Sequence, residues 1–147
     1  MGAVQKINAA RSRPAAAGDL GAQLGKSMAA ALAGDIHRLP PEELLSAWGA
    51  HFSLAELHEL VVPERTLARR IAKREKLTIG EGDRAMRLAR IALEANRVFG
   101  ASEKAGRWLR KPNTALAGQT PLAMLRSEIG AKAVEELLVQ IDHGIFT

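Results

Sequence analysis

Apolar positions along this chain recur every three or four residues, the spacing of one helix face, and no alternating β-branched run suggests a strand. The pattern is weak at first. Residues 1–34 are rich in Ala and Gly, and only Leu20, Leu24, Met28 and Leu32 recur every four residues. From Leu39 the signals sharpen. In "LPPEELLSAW", Pro41 takes a first helical position, and Glu42 and Glu43 fall in the first turn, where the helix dipole favours acids. Ser53 and Glu56 form a capping box for "SLAELHELV", whose Leu54, Leu57 and Val61 share a face. Only a tight turn fits before "VPERTLARRIAKREK", which Pro63 can open and in which Leu67 and Ile71 share a face.

A second capping box, "TIGE", begins at Thr78. Behind it Ala85, Leu88, Ala92, Ala95 and Phe99 recur at helical spacing up to the stop at Gly100. Ser102 and Glu103 start a short helix that ends before Pro112, and "KPNTALAGQ" reads as a loop. Thr120 and Pro121 open "LAMLRSE", which Gly130 is expected to end. The last helix carries Val134, Leu137, Leu138 and Ile141, and Gly144 stops it. These elements predict an all-α chain. It divides into a flexible or weakly helical arm (1–38), a helix-turn-helix part (39–78) and a small helical C-terminal domain (79–147).

Composition fits packed helices: 47% of the 147 residues are hydrophobic but only 3% aromatic, so the core is Ala, Leu, Ile and Val. Cysteine is absent, which excludes disulfides, a thiolate nucleophile and Cys-containing zinc sites. No apolar run approaches the roughly 20 residues of a membrane span. A cytoplasmic protein away from membranes is the expectation.

Charge changes the picture more. The net +5 is concentrated in residues 64–111, which hold fourteen basic and six acidic groups, whereas residues 112–147 hold two basic and four acidic. A basic centre points to a polyanion partner. Two short helices joined by a tight turn, the second of them basic, are what a helix-turn-helix needs to place its second helix in the major groove. On that geometry Arg65, Thr66, Arg69 and Arg70 reach bases or nearby phosphates, with Lys73 and Arg74 along the backbone of operator DNA. The turn "LVVPER" lacks the glycine often found there.

For catalysis the residues offer little. His37, His51, His58 and His143 match no zinc spacing, and there is no phosphate-binding Gly loop, nucleophile elbow or dinucleotide fingerprint. Neighbours Glu135 and Glu136 point to different sides of their helix. We expect no enzyme, catalytic residue, metal or cofactor.

The ordered motifs "RTLARR", "VFG" and above all "WLRKPNTALAGQTPLAMLRSEIGAKAVEELLVQIDHG" resemble the antitoxins of the Xre/MbcA/ParS toxin-binding family, partners of RES-domain toxins. The resemblance runs from about Leu54 to the end. Trp108, Leu109, Pro112, Asn113, Leu116, Gly118, Pro121, Gly130 and Gly144 match the family pattern. It implies a type II antitoxin that neutralises a RES toxin, an enzyme acting on NAD, and represses its own operon as a homodimer within a hetero-oligomeric complex.

With that implication, the net acidic C-terminal part and its apolar tip suggest a surface that covers the toxin's active-site entrance. The candidate toxin-binding residues are Glu135, Leu138, Val139, Asp142, His143, Gly144, Ile145 and Phe146. Ile145 and Phe146 could instead fold back on the helix end. The alternative for the whole chain is a stand-alone dimeric helix-turn-helix regulator whose C-terminal helices serve dimerisation.

Overall fold

The structure, a computed structural model, describes residues 38–144 together with Ala22, Gly25, Lys26 and Ala29. The four apolar positions of the predicted N-terminal helix lie outside the described residues, as do Ile145 and Phe146. The described residues contain helices and turns and no strand, so the all-α expectation holds. The chain divides into two units, 1–86 and 87–147. That division falls within a helix, whereas the sequence divides at residue 78.

In the first unit, α1 (Pro41–Ala47) starts with Pro41 at N1 and Glu42 and Glu43 in its first turn. It runs into a 3-10 turn, Trp48–Ala50. Helix α2 (Leu54–Leu60) has the full Ser53–Glu56 capping box, with the Ser53 Oγ accepting from the Glu56 N–H at 3.1 Å and the Glu56 Oε1 from the Ser53 N–H at 2.8 Å. Helix α3 is Glu64–Ala72. Leu44, Leu45, Trp48, Phe52, Leu57, Leu67 and Leu77 are buried here. The Trp48 indole N–H donates to the Ala85 carbonyl at 2.6 Å, which satisfies the one polar atom that this large ring carries inside.

Helix α4 (Ile79–Phe99) is the longest, at 21 residues, and belongs to both units. Its predicted capping box is present: the Thr78 N–H donates to the Glu81 Oε1 at 2.8 Å and the Glu81 N–H to the Thr78 Oγ1 at 3.2 Å. Gly100, at φ 74°, ends it. A left-handed φ is open to glycine without the Cβ penalty other residues pay.

The second unit adds α5 (Ser102–Leu109), a 3-10 turn at Thr114–Leu116, α6 (Pro121–Met124) and α7 (Glu128–Asp142). Phe99 and Trp108 pack with their ring centroids 5.4 Å apart. Thr120 caps α6, its Oγ1 accepting from the Ala123 N–H at 3.1 Å. Here the structure differs from the predicted boundary: α6 ends at Met124, and Gly130 terminates nothing. It sits in the first turn of α7, where its N–H donates to the Ser127 Oγ at 3.0 Å. A Cβ at Gly130 would lie 1.9 Å from the Met124 carbonyl oxygen, so glycine lets α6 and α7 approach this closely.

Candidate functional site

Two surfaces carry the sequence-predicted residues. The first is α3 with its surroundings. Helices α2 and α3 are joined by Val61, Val62 and Pro63 alone, and the turn works without glycine because none of these residues needs a positive φ. Val61 and Val62 are buried and anchor the turn, while the Arg84 Nε donates to the Val61 carbonyl at 2.8 Å.

Arg65, Arg69, Lys73, Arg74 and Lys76 are exposed, and Thr66 is half-buried. Arg65 and Arg69 lie one helical turn apart and share a face. Arg70 does not join them. Its Nε and Nη2 donate to Glu81 at 2.8 and 3.2 Å and its Nη1 to Glu75 at 3.2 Å, so its fork is engaged within the fold. Two arms of a planar guanidinium matched to one carboxylate make the strong form of this pair. Burial pushes the Glu81 carboxyl up, but the Arg70 hydrogen bond, the Thr78 N–H and the Arg70 charge outweigh it and hold Glu81 below the ordinary carboxylate range. We therefore reassign Arg70 from nucleic-acid contact to positioning: it ties the end of α3 to the start of α4.

Arg74 has φ 55°, a conformation that costs a side-chain-bearing residue energy. It closes a Schellman-type ending, with the Glu75 N–H donating to the Arg70 carbonyl at 2.8 Å and the Arg74 N–H to Ile71 at 3.2 Å. Glycine is the usual occupant; an arginine here adds an exposed cation at the cost of strain.

The second surface is α7. Its inward stripe is Gly130, Ala131, Val134, Leu137 and Leu138, all buried. Leu138 has no exposed surface and is a core residue, not a contact offered to a partner. Along one flank, three acids repeat every seven residues. Glu128 pairs with Arg87 at 3.0 Å and Arg90 at 2.7 Å, Glu135 pairs with Arg90, and Asp142 pairs with Arg97 at 3.0 Å. Hydrogen bonds from Arg87 and Arg90 hold the Glu128 carboxyl below its usual range.

This ladder engages Glu135 and Asp142, the predicted partner-facing acids, with α4 arginines. It also removes most of the acidic character on which the predicted charge match rested. Val139, His143 and Gly144 remain exposed. Gly144 has φ 74° and its N–H donates to the Ile141 carbonyl at 3.0 Å. The tail residues Ile145 and Phe146 lie outside the described residues.

Sequence reasoning missed Ile129, which is 86% exposed. Its signal was available: it lies five residues before Val134 and so falls off the buried stripe of its helix. Among the described residues, no helix is long and apolar enough to cross a membrane and no group of acids and histidines could hold a metal ion.

Residues 94–144, from the last turns of α4 to Gly144, match the model of the antitoxin Xre/MbcA/ParS C-terminal toxin-binding domain. The chain belongs to the Xre/MbcA/ParS antitoxin family. It is 45% identical over 84 residues to the antitoxin Xre of Pseudomonas putida, covering 57% of this chain and 53% of that protein. Against the antitoxin Xre of Photorhabdus laumondii it is 37% identical over 82 residues, 55% of each chain. Against that of Yersinia enterocolitica it is 30% identical over 110 residues, 74% of this chain and 66% of the relative. The chain thus spans about half the length of the first two relatives.

Within this family, the matching signature is largely architectural. Leu109, Leu116, Pro121 and Gly130 are buried, and Gly118 and Gly144 hold positive φ. Asn113 closes the loop after α5, its Oδ1 accepting from the Ala115 N–H at 2.9 Å and its carbonyl from the Gly118 N–H at 2.9 Å.

Proposed function

We propose that the chain is the antitoxin of a type II toxin–antitoxin pair. The observation that carries this reading is the match of residues 94–144 to a toxin-binding domain, supported by relatives that bear the name antitoxin Xre. The toxin is a RES-domain enzyme that consumes NAD, on the resemblance of the C-terminal block. An inhibitor of such an enzyme needs no chemistry of its own. It has to occupy or cover the active-site entrance. We assign that role to the end of α7 and the residues after it, namely Val139, His143 and Gly144, continued by Ile145 and Phe146. Each large apolar side chain buried there contributes roughly 1.5–3 kcal/mol before the costs of association.

The decisive experiment is co-expression with the product of the neighbouring gene. The full chain is expected to co-purify with it and to rescue growth, and a variant lacking residues 143–147 is expected to stay folded but lose rescue. Full rescue by that variant removes the tail from the mechanism.

The same chain represses its own operon, on our reading, through Arg65, Thr66, Arg69, Lys73 and Arg74 on and beside α3. Phosphate contacts by these cations make affinity fall steeply with salt. A gel-shift titration against the upstream DNA, repeated at several salt concentrations, tests this. If DNA binds and no partner co-purifies, the chain is a stand-alone regulator.

A further inference from the structure

The positive charge of the second unit gathers in one place. Residues 87–147 hold nine basic and six acidic residues, a surplus of three. Four of those acids, Glu94, Glu128, Glu135 and Asp142, are engaged by Arg87, Arg90 and Arg97 of α4. On and just after α5, residues 102–111 hold Lys104, Arg107, Arg110 and Lys111 against one acid, Glu103. That segment alone therefore carries a surplus equal to the whole unit's. All four cations are exposed. Lys104, Arg107 and Lys111 make no ion pair among the described residues.

The surface is also shaped. Lys104, Arg107 and Arg110 follow one another at three-residue spacing, which makes them neighbours along a helix side. Beside them opens a cleft of about 560 Å³, lined by Ser102, Glu103, Gly106, Arg107 and Arg110. Gly106 stands inside α5 although glycine is a poor helix former. A Cβ there would meet the Arg110 Nη1 at 3.1 Å, the same nitrogen that donates to the Gly106 carbonyl at 3.1 Å. Glycine thus lets the Arg110 guanidinium lie back against the helix, and it puts no side chain into the cleft.

We propose that this surface binds the phosphate backbone of double-stranded DNA, as a second contact separate from α3. Lys104, Arg107 and Lys111 neutralise phosphates, and the cleft over Gly106 receives one of them. A protein partner fits less well, because protein interfaces draw their energy from buried aromatic and apolar anchors. The exposed large apolar side chains described are Ile79, Ile129 and Val139, and none lies on α5. Its aromatic ring, Trp108, packs on Phe99 and is not offered for stacking on bases. Cations without anchors or stacking rings suit a duplex backbone, where contacts position the protein without reading sequence. The proposal rests on the reading of the chain as a DNA-binding protein and adds to it a contact indifferent to base order.

The full-length protein with Lys104→Ala, Arg107→Ala and Lys111→Ala is titrated by fluorescence anisotropy at several salt concentrations. The probes are the upstream duplex and a scrambled duplex, and circular dichroism checks that each variant stays folded. Loss of three phosphate contacts is expected to flatten the slope of log affinity against log salt by about 2–3 on both duplexes, and to weaken binding at least about tenfold at the lowest salt. Glu103→Gln removes the one anion lining the cleft and is expected to strengthen binding about two- to fivefold, a gain that misfolding cannot mimic. Arg65→Ala with Arg69→Ala tests α3 in parallel. If that variant loses binding while the α5 variant keeps the parent affinity and slope, the proposal is overturned and the α3 reading stands. If only the α5 variant loses binding, the proposal stands and the α3 reading fails. A parent that retains neither duplex overturns both. An α5 variant that holds DNA normally but no longer co-purifies with the neighbouring gene's product overturns the proposal and gives the surface to that protein.

Discussion

Replacing Gly130 by alanine sets two effects of opposite sign against each other. Alanine is the better helix former, by about 1 kcal/mol in a helix interior and less in a first turn. The added Cβ, however, would sit 1.9 Å from the Met124 carbonyl oxygen, 2.9 Å from its carbon and 3.1 Å from the Ser127 Oγ. Ordinary contact demands a retreat of about 1.5 Å, and the obstacle is backbone, not the end of a flexible side chain. Next to it, Leu125 is 1% exposed and its carbonyl accepts from the Arg87 Nη1 at 3.2 Å, so moving α6 disturbs the interior of the second unit. Overpacking of this kind costs about 1–3 kcal/mol and occasionally more, which outweighs the propensity gain. We expect a net loss of about 0.5–2 kcal/mol and a melting temperature lower by roughly 2–8 °C. Thermal unfolding followed by circular dichroism measures it. Gly118→Ala is the control: nothing lies within 4 Å of its Cβ, so only the cost of φ 81° is expected, about 1 kcal/mol. A Gly130→Ala protein as stable as the parent would refute the close-approach argument.

Four further outcomes follow from the geometry. Arg70→Ala is expected to lower stability by about 1–3 kcal/mol in urea unfolding, because it strands a buried carboxylate, whereas Arg69→Ala leaves stability unchanged and weakens DNA retention in a gel shift. Arg74→Gly is expected to raise the melting temperature, by relief of up to about 1 kcal/mol of left-handed strain, while weakening DNA retention; a lower melting temperature would count against the strain. The depressed Glu81 and Glu128 carboxyls contribute stability that is complete above the ordinary value of 4.5 and is lost as pH falls through their lower folded values, so urea midpoints should hold from pH 7 to 5 and drop below about 4.5. Leu138→Ala is expected to cost about 2–5 kcal/mol of stability, against little for Val139→Ala, which thermal melts of the two variants distinguish.

Helix starts were legible in the sequence because their causes are local. Ser53–Glu56 and Thr78–Glu81 each satisfy orphan N–H groups within four residues, so three-residue spacing sufficed to find them. Buried stripes were legible for the same reason, as Val134, Leu137 and Leu138 illustrate. Gly130 misled because glycine has two uses, ending a helix and admitting a neighbouring backbone, and only the position of the Met124 carbonyl tells them apart.

At the candidate site, long-range pairing was not legible in the sequence. Arg70 and Glu81 lie eleven residues apart, and Arg90 and Glu135 lie 45 apart. Reading charges along the chain offered Arg70 to nucleic acid and Glu135 to a protein partner, since nothing in a local window shows the ion pairs that Glu81 and Arg90 make with them. The same blindness hid Ile129, an apolar residue out of phase with the buried stripe of its own helix. Once the paired acids are subtracted, the charge argument for α7 shrinks to Lys132 and Glu136, one of each sign.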